Sequence, residues 1–198
     1  DGYQPCPMTS FTEYGADDPL SVAFPAEPTI GTLSERVSSA GLTQLHVAET
    51  EKYAHVTYFF NGYREQPFPG EKRILIPSAR VTSFKEQPAM SAQEITDRTL
   101  ESWAEELPAL TVINFANADM LGHTGDFDAA RSAIEHLDQQ LGRLMTAAQE
   151  THQRVLITAD HGNAEEMVQK ITGTKKTFHT ANPVPLLAVA EEWSGQGS

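Results

Sequence analysis

Cysteine is almost missing from this chain of 198 residues, and the single Cys6 cannot close an internal disulfide. With no signal peptide at its start, the sequence points to a reducing, cytoplasmic setting. Apolar residues never run for the roughly 18 positions that a membrane-spanning helix needs, which excludes membrane insertion. Basic side chains are scarce: 14 Lys and Arg stand against 27 Asp and Glu, a net charge of -13. Such a chain repels a phosphate backbone, and no basic stripe offsets this, so nucleic acid is excluded as a partner. A small anionic substrate would meet the same repulsion, so a site for one must bring its own positive charge from metal ions, Lys or Arg. Internal repeats and low-complexity tracts are missing too, and Asp1 in place of an initiator Met leads us to expect a piece of a longer protein.

What is present alternates between two periodicities. Residues 1–30 are irregular and proline-rich, and with a short helix over Thr32–Ala40 they make residues 1–41 a lead-in. Thr32 with Glu35 forms a capping-box pattern for that helix, and Gly41 stops it. Strands are expected at Leu42–Ala48, Arg73–Ile76, Thr111–Ala116, Arg154–Ala159 and Val184–Ala190. Between them, helices are expected over Glu51–Phe60, capped by Thr50, over a segment from Ser91 to about Leu107, and from Thr124 onward. The last carries Phe127, Ala130, Ile134, Leu137, Leu141, Leu144 and Ala148 at three-or-four spacing, one buried stripe. Alternating strands and helices imply right-handed crossovers and a three-layer α/β/α domain over 42–198 with a largely parallel sheet.

In such sheets ligands sit beyond the carboxyl ends of the strands, so the loops after Ala116 and Ala159 are where chemistry is expected. Asp119 and His123 are four apart, which puts both on one side of a helical turn. Asp160 and His161 are adjacent, so they share a site only if the chain has already left the strand, a departure Gly162 allows. His179 precedes the last strand. Three imidazoles and two carboxylates suit two divalent cations: carboxylates favour Mn²⁺ or Mg²⁺, imidazoles also accept Zn²⁺. His46, His136 and His152 read as structural or solvated, as does the pair Lys175-Lys176; His55, one turn after Lys52, ranks below the five ligands.

Several blocks resemble the cofactor-independent phosphoglycerate mutases of the alkaline phosphatase superfamily. They are Ala48-Glu49-Thr50-Glu51-Lys52-Tyr53-Ala54-His55-Val56-Thr57, Phe59-Phe60-Asn61-Gly62, Pro67-Phe68-Pro69-Gly70-Glu71 and Arg73-Ile74-Leu75-Ile76-Pro77-Ser78. The series continues through Asn114-Phe115-Ala116-Asn117, Gly122-His123-Thr124-Gly125-Asp126-Phe127, Ile157 to Glu165, and His179-Thr180-Ala181-Asn182-Pro183-Val184-Pro185. The resemblance implies an alkaline-phosphatase-like fold in which Asp119, His123 and His179 bind one metal ion and Asp160 with His161 the second, Mn²⁺ foremost. It further implies that Lys52 contacts the phosphoryl group, with Glu51 orienting beside it, in an enzyme that interconverts 3-phosphoglycerate and 2-phosphoglycerate through a phosphoserine. The parent enzyme would be a monomer acting on a small molecule in glycolysis and gluconeogenesis. A metallohydrolase of phosphate or sulfate esters is the alternative, against which the Glu49 to His55 block argues.

Departures from the family pattern matter equally. The segment that supplies the family's nucleophilic serine and a further Asp ligand, and the inserted domain that supplies its substrate-gripping arginines, have no counterpart in these residues, and Ser10, Ser78 and Ser91 match no nucleophile motif. An incomplete fragment, inactive alone, is therefore expected. Tyr63 also stands where a second glycine is expected.

Overall fold

The computed structural model describes residues 8–12, 21–25, 27, 29–169 and 172–190. Cys6, much of the proline-rich lead-in and the ending from Glu191 lie outside them. What is described of the lead-in includes a two-residue parallel pair, β1 (Thr9–Ser10) with β2 (Ser21–Val22). The Thr29 N–H donates to the Gly62 carbonyl at 3.1 Å, joining this segment to the body. Helix α1 (Leu33–Ser39) begins as the sequence dictates, with Thr32 Oγ1 accepting from the Glu35 N–H, which satisfies an otherwise orphaned first-turn donor.

The central sheet is parallel, with strand order β4 (Glu71–Ile76), β3 (Gln44–Glu49), β5 (Leu110–Asn114). Strand β3 is buried at every position, and its successive side chains point to opposite faces. On one face Leu45 and Val47 pack with Ile76 and with Ile95 of helix α3 (Ala92–Glu105). On the other, Gln44 Nε2 donates to the Ser34 carbonyl of α1, and His46 Nδ1 donates to the Val56 carbonyl of the short helix α2 (Tyr53–Val56). Helices therefore cover both faces, the α/β/α layering expected. A second core gathers Leu121 of α4 (Asn117–Gly122) with Ala129, Ala130 and Ala133 of α5 (Phe127–Glu150).

Local signals were overridden in several places. The helix expected over Glu51–Phe60 is a 3-10 turn, Thr50–Lys52, followed by the four residues of α2. Thr50 does not cap it: its hydroxyl donates to the Ile76 carbonyl and accepts from the Ser78 N–H. Ser91 likewise donates to the Pro77 carbonyl instead of capping α3. Helix α5 starts at Phe127, where Asp126 accepts from the Ala129 N–H. Of its expected stripe Ala130, Leu144 and Ala148 are buried, while Phe127 and Ile134 are exposed and Ala133 and Gln140 are buried beside it. Tyr63 holds a positive φ of 67°, the left-handed conformation that favours the glycine expected there, and its ring packs edge-on against Tyr58 and Phe59.

The expected parallel sheet stops at β5. Strands β6 (Val155–Thr158) and β7 (Leu186–Val189) pair antiparallel as a separate ribbon. A parallel crossover needs an element that carries the chain back to the strand's starting end, and between β6 and β7 the described residues form only a 3-10 turn, Ala164–Glu166, and two isolated antiparallel bridges, Gly162 with Thr180 and Val168 with Lys175. The chain therefore re-enters at the end it left, which brings the segment around His179 back to the carboxyl end of β6. A cavity of about 1120 Å³ separates β5 from β6, lined by both strands and by Leu137 and Leu141 of α5. Lys52, Asp119, Asp160 and His161 also border it.

Candidate metal centre

Helix α4 begins directly after Ala116, so Asp119 and His123 fall one turn apart at the carboxyl end of β5. The His123 Nε2 lies 3.1 Å from Asp119 Oδ1, and His179 Nε2 lies 3.2 Å from the same oxygen. The two imidazole nitrogens are themselves 3.1 Å apart. Ligand atoms around a small divalent ion at about 2.1 Å stand roughly 3.0 Å apart in octahedral geometry and about 3.4 Å in tetrahedral geometry. The three donors are thus already spaced to receive such an ion. His123 Nδ1 stands 2.7 Å from the Thr177 carbonyl. A carbonyl only accepts, so Nδ1 carries a proton, which leaves Nε2 as the nitrogen that would give its lone pair to an arriving ion, the orientation a metal-bound histidine needs.

Asp119 is the hub. Its Oδ2 accepts from Lys52 Nζ at 2.5 Å, and its Oδ1 accepts from Asn163 Nδ2 at 2.7 Å. Burial alone would raise this carboxyl, but the hydrogen bonds from Lys52 and Asn163 and the charges of Lys52 and His123 outweigh it and hold the pKa at about 2. An ionised carboxylate is what a hard cation requires. Lys52 is only 8% exposed, so its ammonium is fixed at the site, the positive charge that an anionic ligand would need.

Asp160 and His161 stand beside this cluster and outside its three-atom core. Because β6 ends at Thr158, the chain has left the strand before them, and His161 Nε2 comes within 3.7 Å of Asp160 Oδ1. The His161 ring stacks on His179, centroids 3.6 Å apart. Asp160 is half exposed. Glu51 is exposed, and its N–H donates to the Ser78 hydroxyl. The His55 pKa is lowered by burial and by the Lys52 charge, against the pull of Asp160 and Asp119, which places it in the field of the site.

Sequence reasoning missed the supports. Asn163 and Glu165 lie inside the block from Ile157 to Glu165, yet residue type alone gave them no role. Glu165 accepts from the Thr180 hydroxyl, from Asn182 and from the Asn163 N–H; the Thr180 and Asn182 bonds hold its carboxyl at about 2. Glu49, fully buried at the end of β3, was also missed. It accepts from the Ser78 hydroxyl at 2.8 Å and from the Ser91 N–H, which fixes the turn that carries Lys52.

Burial raises the Glu49 pKa above its ordinary value despite those two bonds. A carboxyl raised in the fold binds its proton more tightly there than in the unfolded chain, so its contribution is complete below about 4.5 and is lost as pH rises through the folded value. Glu49→Gln, which keeps the shape without the charge, is expected to be at least as stable as the parent at pH 7.5 in urea titrations. That advantage should shrink as the pH falls through the raised folded value and be gone by about 4.5; a large deficit for the variant at pH 7.5 would show that the ionised carboxylate itself is required.

A buried ion pair, two imidazoles converging on one carboxylate oxygen and a helix–sheet frame that sets them at strand ends define a metal-binding α/β protein. The chain belongs to the metalloenzyme superfamily, whose description matches residues 22–197. It is similar to the 2,3-bisphosphoglycerate-independent phosphoglycerate mutase of Pseudomonas paraeruginosa, 49% identical over 180 residues that cover 91% of this chain and 35% of that protein. The mutase of the same description from Clostridium botulinum (strain Langeland) is 48% identical over 184 residues, 92% of this chain and 36% of that one. The crystal structure of Leishmania mexicana phosphoglycerate mutase at low cobalt concentration superposes with a TM-score of 0.83 at 32% identity, covering 91% of this chain and 36% of that one. The chain therefore spans about a third of the length of these relatives.

Proposed function

We propose that this chain forms the metal-holding part of a phosphoglycerate mutase that interconverts 3-phosphoglycerate and 2-phosphoglycerate without a bisphosphoglycerate cofactor. The single observation that carries this reading is the convergence of Asp119, His123 and His179, with ligand atoms within 4.8 Å of one another, in a chain about half identical to such mutases. In this reading those three residues hold one divalent ion, Asp160 and His161 hold a second, and Mn²⁺ is the ion used. Bound cations would stabilise charge on the attacking and leaving oxygens of phosphoryl transfer. Lys52, held in place by Asp119, presents its ammonium to the phosphoryl group, and Glu51 at the outer side of the same turn orients beside it. The substrate is a small phosphorylated acid, the parent enzyme a cytoplasmic monomer, and the phosphoserine forms on a residue outside this chain.

Two measurements test the proposal. Calorimetry with Mn²⁺ should detect binding by the 198-residue chain that weakens at least about 100-fold in His179→Ala, since a ligand is lost outright, where the loss of an outer-shell partner costs about 10- to 100-fold. A coupled assay for 2-phosphoglycerate formation should read background for the chain alone, because no serine here fills the nucleophile's place. Failure to bind Mn²⁺, Co²⁺ or Zn²⁺ overturns the metal reading, and clear turnover overturns the account of the serine.

A further inference from the structure

We infer that Glu165 and Asn163 are positioning residues that join the three loops bearing the metal ligands before any ion arrives. The inference rests on the metal reading above and adds to it the parts that hold the ligands in register.

The connections run in one line. On the His179 side, the Thr180 hydroxyl and Asn182 Nδ2 both donate to Glu165 Oε1, and the Thr180 N–H donates to the Gly162 carbonyl at 2.8 Å. The other Glu165 oxygen, Oε2, accepts from the Asn163 N–H at 2.6 Å. Asn163 then reaches α4, its Nδ2 donating to Asp119 Oδ1 at 2.7 Å and to the Asp119 carbonyl at 3.1 Å. One carboxylate and one carboxamide thus link the segment after His179, the loop after Asp160-His161 and the helix of Asp119 and His123. Asn163 is 4% exposed, so water competes little for its bonds.

Two glycines show, independently of the hydrogen bonds, that the fold makes room for this brace. A Cβ on Gly162 would fall on the Thr180 hydroxyl and the Glu165 carboxylate, and a Cβ on Gly122 would fall on the Asn163 carboxamide. The need is physical. His179 lies on a long connection with little regular structure, and fixing such backbone costs about 1–2 kcal/mol per residue. Left untied, that loop would have to be ordered by the ion, and affinity would fall accordingly.

Glu165→Ala and Thr180→Ala cut the same strut from opposite ends, and amide hydrogen exchange of the metal-free chain reads the brace without any metal. In both variants exchange over 176–183 should quicken at least about tenfold while β3 and α5 keep their protection, and Mn²⁺ affinity should fall about 10- to 100-fold. The double variant should lose little more than the worse single one, as residues acting through one contact do. Unchanged exchange over 176–183 in Glu165→Ala overturns the brace whether or not the parent binds metal. Faster exchange in a chain whose unsubstituted form binds no ion sinks the metal reading and leaves the brace standing. Faster exchange with unaltered Mn²⁺ affinity overturns the positioning role.

Discussion

Asp119→Ala is expected to cost this chain about 2–4 kcal/mol of stability without any metal and to abolish divalent binding at the site it shares with His123 and His179. Removing the carboxylate leaves the Lys52 ammonium buried without a counter-charge, and breaking a buried pair from one side costs roughly 3–5 kcal/mol. The lower end applies because the two side chains keep 10% and 14% exposure, through which water and a shift of the lysine stem recover part of the loss. Asn163 and both imidazoles also lose their common acceptor. For a domain of this size the melting temperature should drop by roughly 2–4 °C per kcal/mol, which scanning calorimetry resolves easily. Lys52→Met acts differently. The carboxylate it frees still accepts from Asn163, and the cation that competes with a metal ion for it is gone, so Mn²⁺ should bind more tightly than to the parent. A loss under 1 kcal/mol in Asp119→Ala, or weaker Mn²⁺ binding in Lys52→Met, would contradict Asp119 as the electrostatic hub.

Much of this was legible in the residues, and the reason differs from element to element. Strand β3 was found because Leu45 and Val47 alternate with Gln44 and His46 at a period of two, and α5 because its 3.6-residue period persists for 24 residues. The candidate ligands were legible because strand ends in α/β sheets are where ligands bind and because Asp119 and His123 share a helical turn. Pairing was not legible. Periodicity reports that β6 and β7 are strands and is silent on which edge each joins, so a largely parallel sheet was expected to include them where the structure has a gap and an antiparallel ribbon. Caps failed for a related reason: Thr50 and Ser91 have the right chemistry for helix starts, yet tertiary partners on β4 and at Pro77 claimed their hydroxyls. Supports such as Glu165 are visible only once loops distant in sequence are adjacent in space. The close packing of Gly162 against Thr180 is of that kind.

Gly122→Ala and Gly142→Ala are the same change in two helices, and they should have opposite signs. Both glycines lie within helical segments without a positive φ, so by propensity alone alanine should stabilise each by roughly 1 kcal/mol. At Gly142 nothing lies within 4 Å of the added Cβ, and the full gain is expected. At Gly122 the Cβ would stand 2.7 Å from the Asn163 Cγ and closer still to its oxygen. Asn163 cannot simply turn aside, because its amide is bonded to the Asp119 carboxylate and carbonyl. Overpacking of this kind costs about 1–3 kcal/mol, and a hydrogen bond to a charged group adds roughly 1.5–3 kcal/mol if it breaks. The sum exceeds the propensity gain, so Gly122→Ala should be destabilised by at least about 1 kcal/mol in urea unfolding, and its Mn²⁺ affinity should fall with it as Asp119 loses its support. Equal stabilisation of the two variants would mean that Asn163 yields freely, and that Asp119 is held by Lys52 alone.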